Sequence, residues 1–224
     1  MVTSENSRWN PTPISWRNPT FANRRILNLK IGVLALQGDF WEHQLILETL
    51  GVDTIQVRTP EELDNLDGLI LPGGESTSME RLIDAQGLRA PLSKTISSGI
   101  PVWGTCAGLI MLAKEVREGH PKPLGILNMA VSRNAYGSQL DSFETDLSVP
   151  ILGEAPFHAV FIRAPAITHL GPRCKTLAQL EDGTPVAVRE GNILVTAFHP
   201  ELTHDSRFHE YFINDLGMKR GETR

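Results

Sequence analysis

The strongest constraint on this chain lies at residues 100–110. There a short apolar run, Ile100-Pro101-Val102-Trp103, passes into Gly104-Thr105-Cys106-Ala107-Gly108 and then into the helix-prone stretch Leu109 to Lys114. An apolar strand that breaks at Gly-x-Cys-x-Gly into a helix is the cysteine form of the nucleophile elbow, which lifts one reactive side chain above a sheet. Gly104 and Gly108 are needed where strand and helix backbones nearly touch. A thiol at the start of a helix faces unpaired N–H groups and the positive end of the helix dipole, which favours thiolate. The competing reading, a small apolar cysteine filling a core, accounts for neither glycine.

An elbow of this kind needs a parallel sheet, and the pattern from Lys30 onward supplies one. Lys30 to Leu36 is a nearly continuous apolar strand, as expected when both faces are covered. Gln37-Gly38-Asp39 is a turn, followed by a helix to about Leu50 that Gly51 stops. Asp53 to Arg58 is a second strand, and Thr59-Pro60 opens a short helix. Gly68 to Leu71 is a third strand, running into Pro72-Gly73-Gly74-Glu75-Ser76, with helices over about 77–85 and 90–98 before the elbow strand. Beyond Lys114 shorter β-prone pieces take over, at 129–131, 159–162, 185–188 and 193–197, and a last amphipathic helix runs from Arg207 to Leu216. Strands alternating with helices imply an α/β fold, and ligands in such sheets bind beyond the carboxyl ends of the strands. The loops after Leu71, Gly104 and Phe198 all fall there, which argues for one site.

Composition narrows the function. A formal net charge of −5 disfavours nucleic acid, and no apolar run is long enough to span a membrane. Two cysteines, Cys106 and Cys174, make no disulfide framework, and a reactive thiol suits a reducing cytoplasm. The seven histidines show no Cys/His spacing for zinc, so no metal site is expected. Residues 1–29 differ from the rest: Pro-, Asn- and Ser-rich, with Arg8, Arg17, Arg24 and Arg25 against the single acid Glu5. They lack a secretory apolar core; their bias fits a transit peptide or a flexible arm. The domain proper is expected over 30–217, with 218–224 a short tail.

A cysteine nucleophile needs a base and the base an orienting partner. His199-Pro200-Glu201 offers both, and on extended backbone residues two apart point the same way, so imidazole and carboxylate can lie side by side. Attack on a carbonyl also needs donors for the developing oxyanion. The amide after Cys106, that of Ala107, is one; the glycine loop 72–76 can provide another, unless it is a plain turn before a helix capped by Ser76 or Thr77. Arg133 and Arg163 each follow an apolar segment and have the guanidinium geometry for a carboxylate, as do Arg81 and Arg189.

Together with these motifs, Leu36-Gln37-Gly38, Arg133-Asn134, Asp141-Ser142-Phe143-Glu144, Phe161-Ile162-Arg163-Ala164-Pro165 and Phe198-His199-Pro200-Glu201-Leu202 make the chain resemble the glutaminase subunits of pyridoxal 5′-phosphate synthases, class I glutamine amidotransferases, from Lys30 to about Leu216. The resemblance implies an open, mostly parallel sheet flanked by helices in three flavodoxin-like layers. It also implies a triad of Cys106, His199 and Glu201 that releases ammonia from L-glutamine through a thioester. Oxyanion donors would be the amides of Gly74 and Ala107. Glutamine would be held by Gly74, Glu75, Ser76, Arg133, Ile162 and Arg163, with Glu75 meeting the α-amino group. No cofactor is implied; the implied partner is a barrel-shaped synthase subunit that receives the ammonia in a hetero-oligomer. The arm at 1–29 is not part of the family pattern. Two other readings share the fold: a cysteine peptidase or hydrolase, many of which carry His where this chain has Ala107, and a non-catalytic partner subunit, against which the intact Cys106, His199 and Glu201 stand.

Overall fold

The computed structural model describes residues 29–133 and 142–221, with side chains as far as 214. The arm expected over 1–29 therefore lies outside the described residues, except for Leu29, which is 1% exposed and belongs to the core. Asn134, Asp141 and the last three residues of the expected tail also lie outside them.

In chain order the elements are β1 (Lys30–Leu34), α1 (Phe40–Thr49), β2 (Asp53–Val57), β3 (Gly68–Leu71), α2 (Ser76–Ala85), α3 (Arg89–Ser97), β4 (Val102–Thr105), α4 (Ala107–Leu112), β5 (Ala113–Val116) and β6 (Leu127–Ser132). They continue with β7 (Ser142–Leu147), β8 (Phe157–Ile162), β9 (Ala166–Leu170), β10 (Lys175–Gln179), β11 (Pro185–Glu190), β12 (Ile193–Thr196) and α5 (Arg207–Gly221). A seven-stranded sheet has the order β10-β11-β12-β4-β3-β1-β2. The run from β12 to β2 is parallel, and β10 and β11 close one edge antiparallel. The α/β expectation, a mostly parallel sheet with helices, is met. The short β-prone pieces divide among three places: β11 and β12 extend this sheet, β5-β6-β9 form a second, and β7-β8 a hairpin.

β3 and β4 are buried along their whole length, because the elbow helix and the neighbouring layers cover both faces. β4 lies between β3 and β12, with Gly104 level with Leu71 on one side and Val195 on the other. Trp103 stacks toward Phe208 and Phe212 of α5, and Phe157 and Phe198 continue the aromatic layer. This packing fastens the last helix to the central strand.

Three local expectations change: the last helix, expected to end at Leu216, runs on to Gly221 into the expected tail. The helix after the elbow stops at Leu112 rather than continuing to Lys114, because Ala113 turns extended (ψ 154°) and pairs with Leu127. The helix expected after Thr59-Pro60 is a single 3-10 turn at Pro60–Leu63, where the Glu62 carboxylate accepts from the N–H of Thr59 at 2.8 Å. Among the described residues no helix is long and apolar enough to cross a membrane.

Candidate active site

Cys106 stands between the end of β4 and the first residue of α4 with φ 43° and ψ −97°. A non-glycine residue there stores strain of order 1–3 kcal/mol, which the surroundings must hold. They do so at both backbone ends: the Cys106 N–H donates to the Thr196 carbonyl at 2.9 Å, and its own carbonyl accepts from Ile110 at 3.2 Å. The two glycines have the mechanical role expected of them. A methyl group on Gly104 would lie 2.7 Å from the carbonyl carbon of Gly108, and one on Gly108 would run into the Leu71 carbonyl. The thiol is 5% exposed and points to the Ile162 carbonyl at 3.8 Å. Ala107, whose amide is the expected first oxyanion donor, begins α4 directly after it.

His199 follows β12, its own N–H donating to the Val160 carbonyl at 2.9 Å. Its Nδ1 lies 2.8 Å from Glu201 Oε1, so the ring and the trailing carboxylate do meet. The reason differs from the expected extended backbone: Pro200–Leu202 is a 3-10 turn, and the chain curls the carboxylate back under the imidazole. With Nδ1 occupied, Nε2 remains for the thiol of Cys106, which interacts with the same ring. A second carboxylate, Asp39 in the turn after β1, approaches Nδ1 at 3.2 Å. Burial opposes a charge on His199, but hydrogen bonds with Asp39, Cys106 and Glu201, and the charge of Glu201, outweigh it and push the ring well above the ordinary imidazole range. Burial pushes the Glu201 carboxyl upward, offset in part by hydrogen bonding to His199 and its charge.

The SNO glutamine amidotransferase family model matches residues 33–218. The chain belongs to that family. It is 55% identical over 188 residues to the pyridoxal 5′-phosphate synthase subunit PdxT of Herpetosiphon aurantiacus, covering 83% of this chain and 99% of that one. It is 55% identical over 186 residues to the protein of the same name from Leifsonia xyli, covering 82% and 94%. A crystal structure of a glutamine amidotransferase, 46% identical, superposes with a TM-score of 0.78 over 84% of this chain and 98% of that one.

In this glutamine amidotransferase the glycine loop lies against the imidazole. A methyl on Gly73 would come 2.7 Å from both His199 Nδ1 and Asp39 Oδ2. Gly74 adopts φ 139°, open to glycine, and packs on the Gln37 side chain. The Gly73 carbonyl accepts from the Asp39 N–H at 3.3 Å, which turns the N–H of Gly74 to the opposite side of that peptide. Glu75, not Ser76 or Thr77, caps α2: its carboxylate accepts from the N–H groups of Thr77 (2.9 Å) and Ser78 (2.6 Å). Desolvation works against the Glu75 charge, but these hydrogen bonds and those from the Ser78 and Thr77 hydroxyls hold its carboxyl down at about 2. Arg133 Nη2 reaches Glu75 Oε1 at 3.4 Å, and Ser76 is buried in the first turn of α2. Ile162 lies beside the thiol, and Arg163 follows it with φ 42°, a second strained non-glycine residue at the mouth.

Asp39 escaped the sequence reading, which took Gln37-Gly38-Asp39 as a turn only. Its signal was its place at the carboxyl end of β1, two strands from the elbow. Asp39, His199 and Glu201 bring one possible ligand atom each within 4.8 Å of one another. A proton on His199 Nδ1 shared between two carboxylates accounts for that spacing.

Proposed function

We propose that this chain is the glutaminase subunit of a pyridoxal 5′-phosphate synthase, hydrolysing L-glutamine and passing the ammonia to a synthase subunit in a hetero-oligomer. The observation that carries the reading is the pairing of His199 with Glu201 at 2.8 Å together with the strained Cys106 at the elbow, in a chain 55% identical to two synthase subunits.

Cys106 gives its thiol proton to His199 Nε2, the sulfur attacks the side-chain amide carbon of glutamine, and the carbonyl π pair moves onto oxygen. The amides of Ala107 and Gly74 meet that oxyanion. His199 gives the Nε2 proton to the departing nitrogen, the C–N bond breaks, and ammonia leaves a thioester on Cys106. A water then gives its proton to His199 and attacks the thioester carbon; the C–S bond breaks, glutamate departs, and His199 returns the proton to the sulfur. Glu201 holds the ring's tautomer and balances its charge throughout. Arg133 and Arg163 suit the substrate α-carboxylate. Gly74, Glu75, Ser76 and Ile162 form the wall around it, Glu75 meeting the α-amino group while it holds the loop through its cap. The cytoplasm, which keeps Cys106 reduced, is the fitting compartment.

The test is ammonia release from glutamine by the full chain mixed with a pyridoxal 5′-phosphate synthase partner subunit. Cys106→Ala is expected to lose about a thousandfold or more in kcat while still binding the partner. Equal ammonia release by wild type and variant would overturn the reading and favour a non-catalytic subunit.

A further inference from the structure

Glu201 is held on one side only by the triad. Its Oε1 lies 2.8 Å from His199 Nδ1, while Oε2, fully enclosed, has no hydrogen-bond partner among the described residues. A buried carboxylate oxygen without a donor is costly. His43 of α1 presents its Nε2 to it at 3.4 Å and to Thr105 Oγ1 at 3.3 Å. The other nitrogen of His43, Nδ1, is 3.0 Å from Nε2 of His209 on α5. Both rings are wholly buried and meet Trp103 edge-on, with centroids 5.4 and 4.8 Å away. Two apolar side chains would fill this space without desolvating two imidazoles, so the pair calls for a reason.

The hydrogen-bond pattern fixes where the protons sit. Two ring nitrogens 3.0 Å apart need one proton between them. His209 Nδ1 is buried with no partner, and an orphaned N–H there is rarer in folded proteins than an orphaned lone pair. His209 therefore carries its proton on Nε2 and donates to His43 Nδ1. His43 must then carry its own on Nε2, the nitrogen that faces Thr105 and Glu201. The titratable groups around His43 are His209 from α5, Glu201 from the 3-10 turn and His199 beyond it, with Asp39 beside Glu201 at His199 Nδ1. Burial, reinforced by His209 and His199, keeps His43 well below the usual imidazole range, and burial alone takes His209 down to about 3. Both rings stay neutral, so no further proton reverses the order.

We propose that His43 is a positioning residue for the glutaminase reaction: its Nε2–H faces the outer oxygen of Glu201 at 3.4 Å and offers it a donor, and His209 sets the tautomer that makes this possible. A donor facing Oε2, added to the His199 bond at Oε1, limits the rotation of Glu201 and with it the swing of the imidazole. The proposal rests on the glutaminase reading for its consequence but not for its geometry, and the two fail separately.

Two measurements decide it. Imidazole ¹⁵N shifts of the full chain, labelled at histidine, should report His43 and His209 as neutral Nε2–H tautomers from pH 5.5 to 8. His43 found cationic, or protonated at Nδ1, overturns the proposal even if no variant folds. In the ammonia-release assay with the partner subunit, His43→Leu should lower kcat by about tenfold or more with KM moved less than about twofold, and His43→Gln, which restores a donor, should regain most of it. A folded Leu variant with wild-type kcat and pH profile, or a folded Gln variant no better than Leu, overturns it. Wild type no faster than Cys106→Ala would instead sink the glutaminase reading, leaving the tautomers to decide the geometry.

Discussion

His158 and His199 each bind two carboxylates, and they are built to opposite ends. On the β7–β8 hairpin, His158 puts Nδ1 3.0 Å from Asp146 and Nε2 2.9 Å from Glu144, cross-strand, with the ring 53% exposed. Each nitrogen has its own acid, so the ring has no face left for a reaction. At the elbow, His199 is 3% exposed and both of its acids, Glu201 and Asp39, converge on Nδ1. That leaves Nε2 for the Cys106 thiol. Hydrogen bonds to carboxylates raise the proton affinity of both rings, for His158 chiefly through Asp146 and then Glu144, and for His199 against the opposing effect of burial. Counting acids beside a histidine therefore says little about chemistry; which nitrogen they occupy, and whether water can do the same work, decides it.

The contrast can be broken most forcefully at Gly73. A side chain there meets the imidazole and Asp39 directly, so Gly73→Ala should push the ring off the thiol and cut kcat/KM for ammonia release by about a hundredfold. Steady-state kinetics checks this, and an unchanged value would mean the ring has slack that the packing denies. A milder change is Asp39→Asn, which keeps an acceptor but removes a charge. The imidazolium then loses one of its anions, so the His199 titration, followed by ¹⁵N shifts, should move to lower pH, with kcat/KM at neutral pH reduced about three- to tenfold. No movement of the titration would show Glu201 alone sets the ring. The smallest effect belongs to His158→Ala. Its raised affinity stabilises the fold fully below the unfolded value of 6.5, and that stabilisation is lost as pH rises through the higher native value. Melting temperatures of variant and wild type should therefore differ more at pH 6 than at pH 9, with ammonia release unchanged at both.

Much of the site was legible because the chemistry is packed into short stretches. Gly104-x-Cys106-x-Gly108 announces an elbow since only glycine lets β4 and α4 approach, and Leu71 shows why at Gly108. His199 and Glu201 are two residues apart, so any sharp local geometry tends to join them, although a 3-10 turn rather than a strand does so. Glu75 was harder to read: a carboxylate next to two glycines suggests a ligand contact, and its use as the cap of α2 depends on where that helix begins. The helix end at Leu112 was equally hidden, because Ala113 and Lys114 are good helix formers and only pairing with β6 draws them out.

By itself the sequence determined that a cysteine sits at a strand-to-helix break with a histidine and an acid following a later strand, since those are local matters of spacing and backbone freedom. Only the tertiary structure decided that Asp39 shares the His199 proton, that β10 and β11 run antiparallel at the sheet edge, and that His43 and His209, 166 positions apart, meet behind Glu201. Contacts between distant elements depend on how strands are ordered and helices packed, and no local propensity encodes which buried nitrogen will face which oxygen.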